Sequence, residues 1–158
     1  MKIVEMFDLP DHRVIYYFAY GMLTDPEMME GIELMGRGTL KNYNLELCGF
    51  ANLIPQSGSS VQGCLWAIDS EILHHLDQIE GYPDLYIRKT VRVTVDGEQY
   101  PAQVYLMTMS TRDRLLNQRP MNNYVQQIVN GYRHAGIPLE QLAQALKKFM
   151  PNKRKRSS

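Results

Sequence analysis

The hydrophobic residues in the first half of the chain fall mainly into segments with the character of β-strands. Val14 to Tyr20 is an almost unbroken run of β-branched and aromatic residues, which predicts a strand buried on at least one face. From Thr39 to Phe50 apolar and polar residues alternate, as in a half-buried strand. Asn52 to Ser60 is rich in Pro, Gly and Ser and predicts a turn, after which Val61 to Ile68 predicts a third strand.

The second half combines a predicted hairpin with helices. Residues 86–95 and 98–107 are β-branched or aromatic at alternate positions and flank Asp96-Gly97, the dipeptide most typical of a tight hairpin. Helical segments are predicted for Asn122 to Ala135 and for Leu139 to Phe149. The chain is therefore expected to mix strands and helices in one domain.

A glycine separates the first strand from a predicted helix. Thr24 precedes Glu27 by three residues, the spacing of a capping box, and a short helix is expected from Pro26 to Met35, ended by Gly36-Arg37-Gly38. A strand that turns at Gly21 into a helix N-terminus directs several backbone N–H groups at one point, which suits a carboxylate or a phosphate. On local sequence alone, a simple strand-to-helix connection without a ligand explains the same pattern.

A second predicted helix carries the residue best suited to chemistry. It begins at Asp69-Ser70-Glu71, and its apolar face is formed by Ile72, Leu73, Leu76 and Ile79. Glu80 follows on that face, in the last turn. Burial and the negative end of the helix dipole both disfavour an ionised carboxylate, and Asp77 would act in the same direction, so a raised pKa is expected for Glu80. The alternative is that Glu80 reaches water beyond the helix end or caps a loop.

Composition restricts the class of protein. The chain has 158 residues, is 44% hydrophobic and contains 17 basic and 17 acidic residues, so nucleic acid is an unexpected partner. Cys48 and Cys64 have no metal-site or disulfide spacing, and no apolar run is long enough for a signal peptide or a membrane span. These features predict a cytosolic protein with one domain over 1–150 and a basic, disordered tail over 151–158.

The motifs, in order, resemble those of the γ-glutamylcyclotransferase-like (AIG2-like) family. The resemblance covers roughly residues 14–145 and depends on the order and spacing of several pieces. The pieces are Phe18-Ala19-Tyr20-Gly21-Met22-Leu23, Val61-Gln62-Gly63-Cys64-Leu65-Trp66, Leu76-Asp77-Gln78-Ile79-Glu80-Gly81, Tyr86-Ile87-Arg88, Ala102-Gln103-Val104-Tyr105, Pro120-Met121-Asn122-Asn123-Tyr124, Gly131 and Gly136-Ile137-Pro138.

The resemblance implies an α+β fold, a small mixed β-barrel flanked by helices, with a cavity between the Tyr-Gly loop and the Glu helix. In such enzymes the glutamate, here Glu80, takes a proton from the α-ammonium of a γ-glutamyl compound, and the freed amine attacks the γ-carbonyl to give 5-oxoproline. The implied substrate-binding residues are Tyr20, Gly21, Met22, Leu23, Tyr86 and Tyr124. No metal or organic cofactor is implied.

One departure from the family pattern leaves a second function open. Many active members carry Ser-Asn after the Tyr-Gly, where this chain has Met22-Leu23. If only the backbone of this loop matters, little is lost, and the expected function is cyclisation of a γ-glutamyl amine or amino acid. The alternative is a non-catalytic member that binds a small anionic metabolite or nucleotide in the same cavity.

Overall fold

Five strands close into a barrel. The computed structural model describes residues 13–151, and the strands within them form a closed barrel in the order β1-β3-β2-β4-β5. All neighbours are antiparallel except β1 and β5, which are parallel, so the barrel is mixed as expected. The strands are β1 (Ile15–Ala19), β2 (Glu33–Cys48), β3 (Phe50–Ile68), β4 (Tyr86–Val95) and β5 (Glu98–Met107).

Helices flank this barrel. Their bounds are α1 (Ser70–Glu80), α2 (Met109–Leu115), α3 (Asn122–Ala135) and α4 (Glu140–Leu146), with 3₁₀ turns at Met22–Thr24 and Lys147–Phe149. The core contains a fully buried side chain from every strand: Phe18, Leu47, Leu65, Val93 and Val104. Alternate residues of a strand point to opposite faces, and in β1 consecutive residues such as Tyr17 and Phe18 are both buried, so both faces of this strand are covered.

Local signals predicted the second half of the fold well. The strands 86–95 and 98–107 and the helix 122–135 have the predicted bounds. Asp96 and Gly97 both have positive φ angles, as a tight hairpin turn requires. The segment 139–149 divides into α4 and a 3₁₀ turn, and α2 was not predicted.

The helix predicted from Pro26 to Met35 is wrong. Residues 26–31 form turns, and β2 already begins at Glu33, which pairs with Ala67 of β3. Gly31 adopts a positive φ of 85°, which interrupts any continuing helix. The predicted helix stop at 36–38 lies inside β2 instead.

Gly36 and Gly38 have a packing role within the barrel. A Cβ atom at Gly38 would lie 2.6 Å from Cγ1 of Val93, and one at Gly36 would lie 3.0 Å from Cγ1 of Val95. Strand β4 therefore approaches β2 at these two positions because neither carries a side chain. The sequence suggested that these two glycines end a helix, but in the structure they allow two strands to pack closely.

The turn predicted over Asn52–Ser60 is also wrong in its main part. Residues 52–55 pair regularly with the end of β2, and β3 is continuous from Phe50 to Ile68. The turn residues produce an irregularity inside the long hairpin, because residues 56–59 stand opposite Asn42 alone. Asn42 has a positive φ of 66°, and its Oδ1 accepts a hydrogen bond from the amide of Gly58.

Some expectations fall outside the described part of the chain. The basic, disordered tail predicted over 151–158 belongs to this group from residue 152 onward. Cys48 and Cys64, which have no disulfide or metal-site spacing in the sequence, are both free and buried. Within residues 13–151, no helix is both long enough and apolar enough to span a membrane.

Candidate active site

A cavity of about 500 Å³ opens between the end of β1, the C-terminal end of α1 and the helices α2 and α3. Its size lies within the range of about 300–1,000 Å³ that is usual for small-molecule sites. The seven residues that the sequence singled out all line it: Tyr20, Gly21, Met22, Leu23, Glu80, Tyr86 and Tyr124. The structure therefore brings together one predicted proton carrier and every predicted binding residue.

The loop from Tyr20 to Leu23 is held by its carbonyl oxygens. Each of the four accepts a hydrogen bond from inside the protein: Tyr20 from the Tyr132 hydroxyl, Gly21 from Thr24, Met22 from the Asp25 amide and Leu23 from the Trp66 indole. In a trans peptide the N–H of the next residue points opposite to the carbonyl. The N–H groups of Gly21, Met22 and Leu23 therefore point away from these partners, in a loop that lines the cavity.

The helix predicted to support this loop as an anion site is absent from the described structure. Only one 3₁₀ turn, Met22–Thr24, follows Gly21, so no long helix dipole acts here. The predicted capping box is also wrong, because the Thr24 hydroxyl donates to the Gly21 carbonyl, and Asp25 Oδ1 accepts from the Glu27 amide. Any anion binding at this loop would have to come from its individual N–H groups.

Glu80 is positioned by well-defined ends of α1. Asp69 caps the first turn by accepting a hydrogen bond from the Ile72 amide, and Gly81 ends the helix in the left-handed conformation with a φ of 67°. The Glu80 side chain is half-buried against the cavity. Burial raises the pKa of Glu80 from its ordinary value of 4.5 to about 7. The predicted direction of this shift is confirmed, and desolvation is its cause.

Two details of the prediction for α1 are wrong. Ile79 is 67% exposed at the cavity mouth and does not complete a buried apolar face. Asp77 does not raise the pKa of Glu80, because it accepts hydrogen bonds from Arg88 Nε at 2.8 Å and from the Tyr105 hydroxyl at 2.6 Å. The Asp77 carboxylate therefore ties α1 to the barrel strands β4 and β5.

Five tyrosines surround the Glu80 carboxyl in the cavity wall. Burial is the main reason that the pKa of each of these phenols is raised, to about 12 for Tyr124, and the charge of Glu80 contributes to each shift. The five are Tyr17, Tyr20, Tyr86, Tyr105 and Tyr124. These phenols stay neutral near pH 7, so Glu80 is the group among them that can exchange a proton there.

The hydroxyls of the predicted tyrosines contact the protein backbone. Tyr20 donates to the carbonyl of Tyr105, Tyr86 donates to the carbonyl of Ala51, and Tyr124 accepts from the amide of Ala51. Two of the three thus fix the same residue, which follows the turn between β2 and β3. Their contribution is a rigid, preformed wall.

Sequence reasoning missed the mouth of the cavity. Thr111, Arg114 and Leu115 reach it from one face of α2, at the i, i+3, i+4 spacing that places residues side by side on a helix. Asn123 and Gln127 reach it from α3. The sequence feature that could have indicated α2 is Thr108, whose hydroxyl accepts a hydrogen bond from the Thr111 amide and caps the helix. With seven residues, α2 is too short to show a helical period of apolar residues.

The family of this chain is shown by a match that covers the whole site region. A model of the family described as "Gamma-glutamyl cyclotransferase, AIG2-like" matches residues 17–126, which include all seven predicted site residues. The chain belongs to this family. The resemblance noted in the sequence motifs is thereby confirmed.

Two mammalian relatives of this AIG2-like chain have the same name. A bovine (Bos taurus) protein named Gamma-glutamylaminecyclotransferase is 30% identical over 108 residues, covering 65% of this chain and 59% of the relative. The human (Homo sapiens) protein of the same name is 33% identical over 97 residues, covering 58% of each chain. This chain thus spans somewhat over half the length of these two relatives.

Solved structures support the fold of this AIG2-like chain. A structure titled "Gamma-glutamyl cyclotransferase" superposes with a TM-score of 0.70 at 24% identity and covers 89% of this chain and 90% of its own. An uncharacterized human protein superposes with a TM-score of 0.67 at 25% identity, covering 88% of this chain and 89% of its own. The barrel flanked by helices is therefore the architecture of known structures.

A separate group of polar side chains lies outside the cavity of this AIG2-like chain. Asp25, Glu27 and His134 bring one possible ligand atom each within 4.8 Å of one another. Burial favours the neutral form of Asp25, but the hydrogen bond with His134 Nδ1 at 2.9 Å, the hydrogen bond from the Glu27 amide and the charge of His134 together outweigh it and lower the pKa of Asp25. The hydrogen bond with Asp25 raises the pKa of His134. The contact between Asp25 and His134 ties the loop to α3.

Proposed function

We propose that this protein is a γ-glutamylcyclotransferase-type enzyme that converts a γ-glutamyl amine or γ-glutamyl amino acid to 5-oxoproline and the free amine. The observation that carries this proposal is the Glu80 carboxyl, whose pKa of about 7 lies close to neutral pH, inside a cavity walled by neutral phenols. A general base works best when its pKa is near the operating pH.

The reaction requires movement of protons and no change of oxidation state. Glu80 takes a proton from the α-ammonium of the substrate, and the resulting amine attacks the γ-carbonyl carbon of the same molecule. The new C–N bond closes the five-membered ring, and the bond between the γ-carbon and the leaving amine breaks. The α-nitrogen loses two protons in all, and the departing amine gains two. A single carboxyl can therefore transfer all of these protons, provided that it gives up each proton before it accepts the next.

The cavity supplies the remaining requirements of this reaction. Attack within one molecule is fast when the reacting atoms are held close together, so orienting the glutamyl chain removes much of the barrier. The side chains available to orient the glutamyl chain are Tyr20, Tyr86 and Tyr124, whose hydroxyls are hydrogen-bonded to the backbone. We assign the stabilisation of the developing oxyanion to N–H groups of the loop 21–23, which lines the cavity with its carbonyls bound elsewhere.

Met22 and Leu23 are compatible with this role. Both line the cavity, and Leu23 is anchored through its main-chain carbonyl to the Trp66 indole nitrogen at 3.1 Å. A role of the loop backbone does not depend on the side chains at these positions. Their apolar side chains would make the acyl end of the cavity less polar than Ser-Asn would.

The direct test is formation of 5-oxoproline. The purified protein is incubated with γ-glutamyl amino acids, γ-glutamyl amines and glutathione, and 5-oxoproline is measured over time beside a control without protein. We expect release from at least one γ-glutamyl compound. Tight binding of these compounds with no 5-oxoproline would favour a non-catalytic binding protein, and neither binding nor turnover would refute the proposal.

A further inference from the structure

The cavity carries charged side chains at two places. Glu80 lies within the wall, and Arg114, which is exposed at the mouth, is the one cationic residue among the cavity-lining residues of the part described. No carboxylate within residues 13–151 forms an ion pair with Arg114. Its neighbour Arg112, by contrast, holds Glu46 through two hydrogen bonds of 2.6 and 3.1 Å. The Arg114 guanidinium is therefore available to a ligand.

Helix α2 directs Arg114 to the cavity. Thr111 is buried, with its hydroxyl bonded to that of Thr108 at 2.9 Å, and Leu115 lines the cavity one residue after Arg114. These contacts fix the helix face, so Arg114 is presented to the cavity by a capped and anchored element. Arginine binds a carboxylate with two parallel hydrogen bonds, a geometry that lysine does not offer.

The rest of the mouth is apolar or uncharged. Phe50, Ile79 and Leu85 line it and are 47%, 67% and 45% exposed, respectively. Asn123 and Gln127 add amide groups on the α3 side. Apolar side chains that are this exposed at a cavity mouth favour an apolar group on the ligand.

We propose that Arg114 selects the leaving group, so that the preferred substrate is a γ-glutamyl conjugate whose amine carries a carboxylate beside an apolar side chain. This inference rests on the proposed cyclotransferase function. The glutamyl part lies with its α-ammonium at Glu80, and the amine part extends to the mouth. There Arg114 binds the carboxylate, and Phe50, Ile79 and Leu85 contact the apolar side chain.

The same arrangement disfavours a leaving amine with a second positive charge. Such a group would face Arg114 with a like charge and no acid at the mouth to offset it, since the cavity-lining residues of the described chain include Glu80 as their one carboxylate. Specificity can arise from repulsion of a competing ligand as well as from attraction of the preferred one. The preference is thus expected to run from anionic through neutral to cationic amines.

A matched pair of substrates isolates this effect. γ-Glutamyl-leucine and γ-glutamyl-(3-methylbutyl)amine share the glutamyl group and the branched apolar chain, and they differ only in the carboxylate. We expect kcat/KM for 5-oxoproline release to be about 5- to 20-fold higher for γ-glutamyl-leucine, near the lower end of the range for a charge-assisted hydrogen bond because Arg114 is exposed. Because the carboxylate lies on the carbon next to the departing nitrogen, it can also affect the chemical step, so the comparison with Arg114→Gln decides how much of the difference belongs to Arg114.

The variant series begins with Arg114→Gln, which should reduce the preference for γ-glutamyl-leucine to about twofold or less. Arg114→Lys should retain part of the preference, because it keeps the charge without the paired geometry. Arg119→Gln is the matched control, since Arg119 is exposed and does not line the cavity. Thermal unfolding of every variant identifies a misfolded protein, and Arg114→Lys then serves as the second test.

The outcomes separate this inference from the proposed function. A preference for γ-glutamyl-leucine that persists in Arg114→Gln, or an equal rate for both substrates in the unaltered protein, overturns the role of Arg114. If no substrate yields 5-oxoproline, the proposed function fails, and the dissociation constants of both conjugates are compared by calorimetry. Tighter binding of γ-glutamyl-leucine that Arg114→Gln abolishes would still support the carboxylate site, and equal binding would refute it.

Discussion

Replacement of Glu80 by Gln should separate the stability of the protein from its activity. The substitution keeps the size of the side chain and its hydrogen-bonding capacity but removes the ionisable proton. Because Glu80 is half-buried and desolvated, its charge is unfavourable in the folded state. The variant should therefore lose most of its turnover and, above neutral pH, be more stable than the unaltered protein.

The size of the stability effect follows from the pKa. Burial raises the pKa of Glu80 from 4.5 to about 7, and each pKa unit corresponds to about 1.36 kcal/mol. Between these two pH values the folded protein retains a proton that the unfolded chain has lost, so the free energy of unfolding falls as the pH rises. Above pH 7 the ionised carboxylate reduces stability by on the order of 3 kcal/mol. Well below the unfolded pKa the contribution disappears.

The assay is denaturant unfolding at acidic and at mildly alkaline pH, combined with 5-oxoproline release on the same preparations. We expect Glu80→Gln to be more stable at alkaline pH, by up to about 3 kcal/mol, and within about 0.5 kcal/mol of the unaltered protein at acidic pH. Turnover should fall by about 10²–10⁴-fold, the usual worth of a positioned general base. The unaltered enzyme should lose activity as the pH falls below about 7, because the base becomes protonated.

Glu71→Gln is the control, because Glu71 lies exposed in the first turn of the same helix. It should change neither stability nor turnover appreciably. A Glu80→Gln variant that turns over normally would refute the assignment of Glu80 as the proton carrier. A variant that loses stability at alkaline pH would show that the carboxylate is a structural partner and that its desolvation is not the dominant effect.

Three further substitutions test the surroundings of the site. Gly63→Ala should destabilise the fold by at least about 2 kcal/mol in urea unfolding, since its Cβ would lie 2.2 Å from the Ala19 carbonyl oxygen; a change below about 0.5 kcal/mol would contradict that packing. Gly21→Val should weaken binding of a γ-glutamyl ligand in calorimetry, because its side chain would stand in the loop that lines the cavity, beside Ala51 and Tyr124; unchanged affinity in a variant that still folds would exclude this loop from the site. Asp77→Asn should reduce the free energy of unfolding by about 1–3 kcal/mol through its bonds to Arg88 and Tyr105, with a smaller loss of turnover than Glu80→Gln; full stability would argue against this link.

The elements predicted correctly carry their own local signals. Helix α1 has Asp69 as its cap and Gly81 after its last residue, and the hairpin has Asp96-Gly97 at its turn. These residues act on their immediate neighbours, so their effect can be read from a short window of sequence. The same is true of Glu80, whose place on the apolar side of α1 follows from helical spacing.

The elements predicted wrongly are decided by distant partners. Residues 52–55 have turn-like neighbours but are strand because they pair with the end of β2, and Glu33 is strand because Ala67 lies opposite. Pairing across a hairpin of 16- and 19-residue strands outweighs the local preference of a few residues. Arg114 was not predicted as a site residue for a similar reason, since its position at the cavity depends on how α2 packs against the barrel.

The hydrogen bond between Trp66 and the Leu23 carbonyl has a practical consequence for studying ligands. Trp66 is the single tryptophan of the chain and is 1% exposed, and its indole N–H is attached to the loop that lines the cavity. The fluorescence of an indole responds to its hydrogen bonding and surroundings, and excitation at the long-wavelength edge of absorption leaves the ten tyrosines silent. The unlabelled protein thus contains its own optical probe at the wall of the site. Titrations that follow its emission can report occupancy even in variants that no longer turn over.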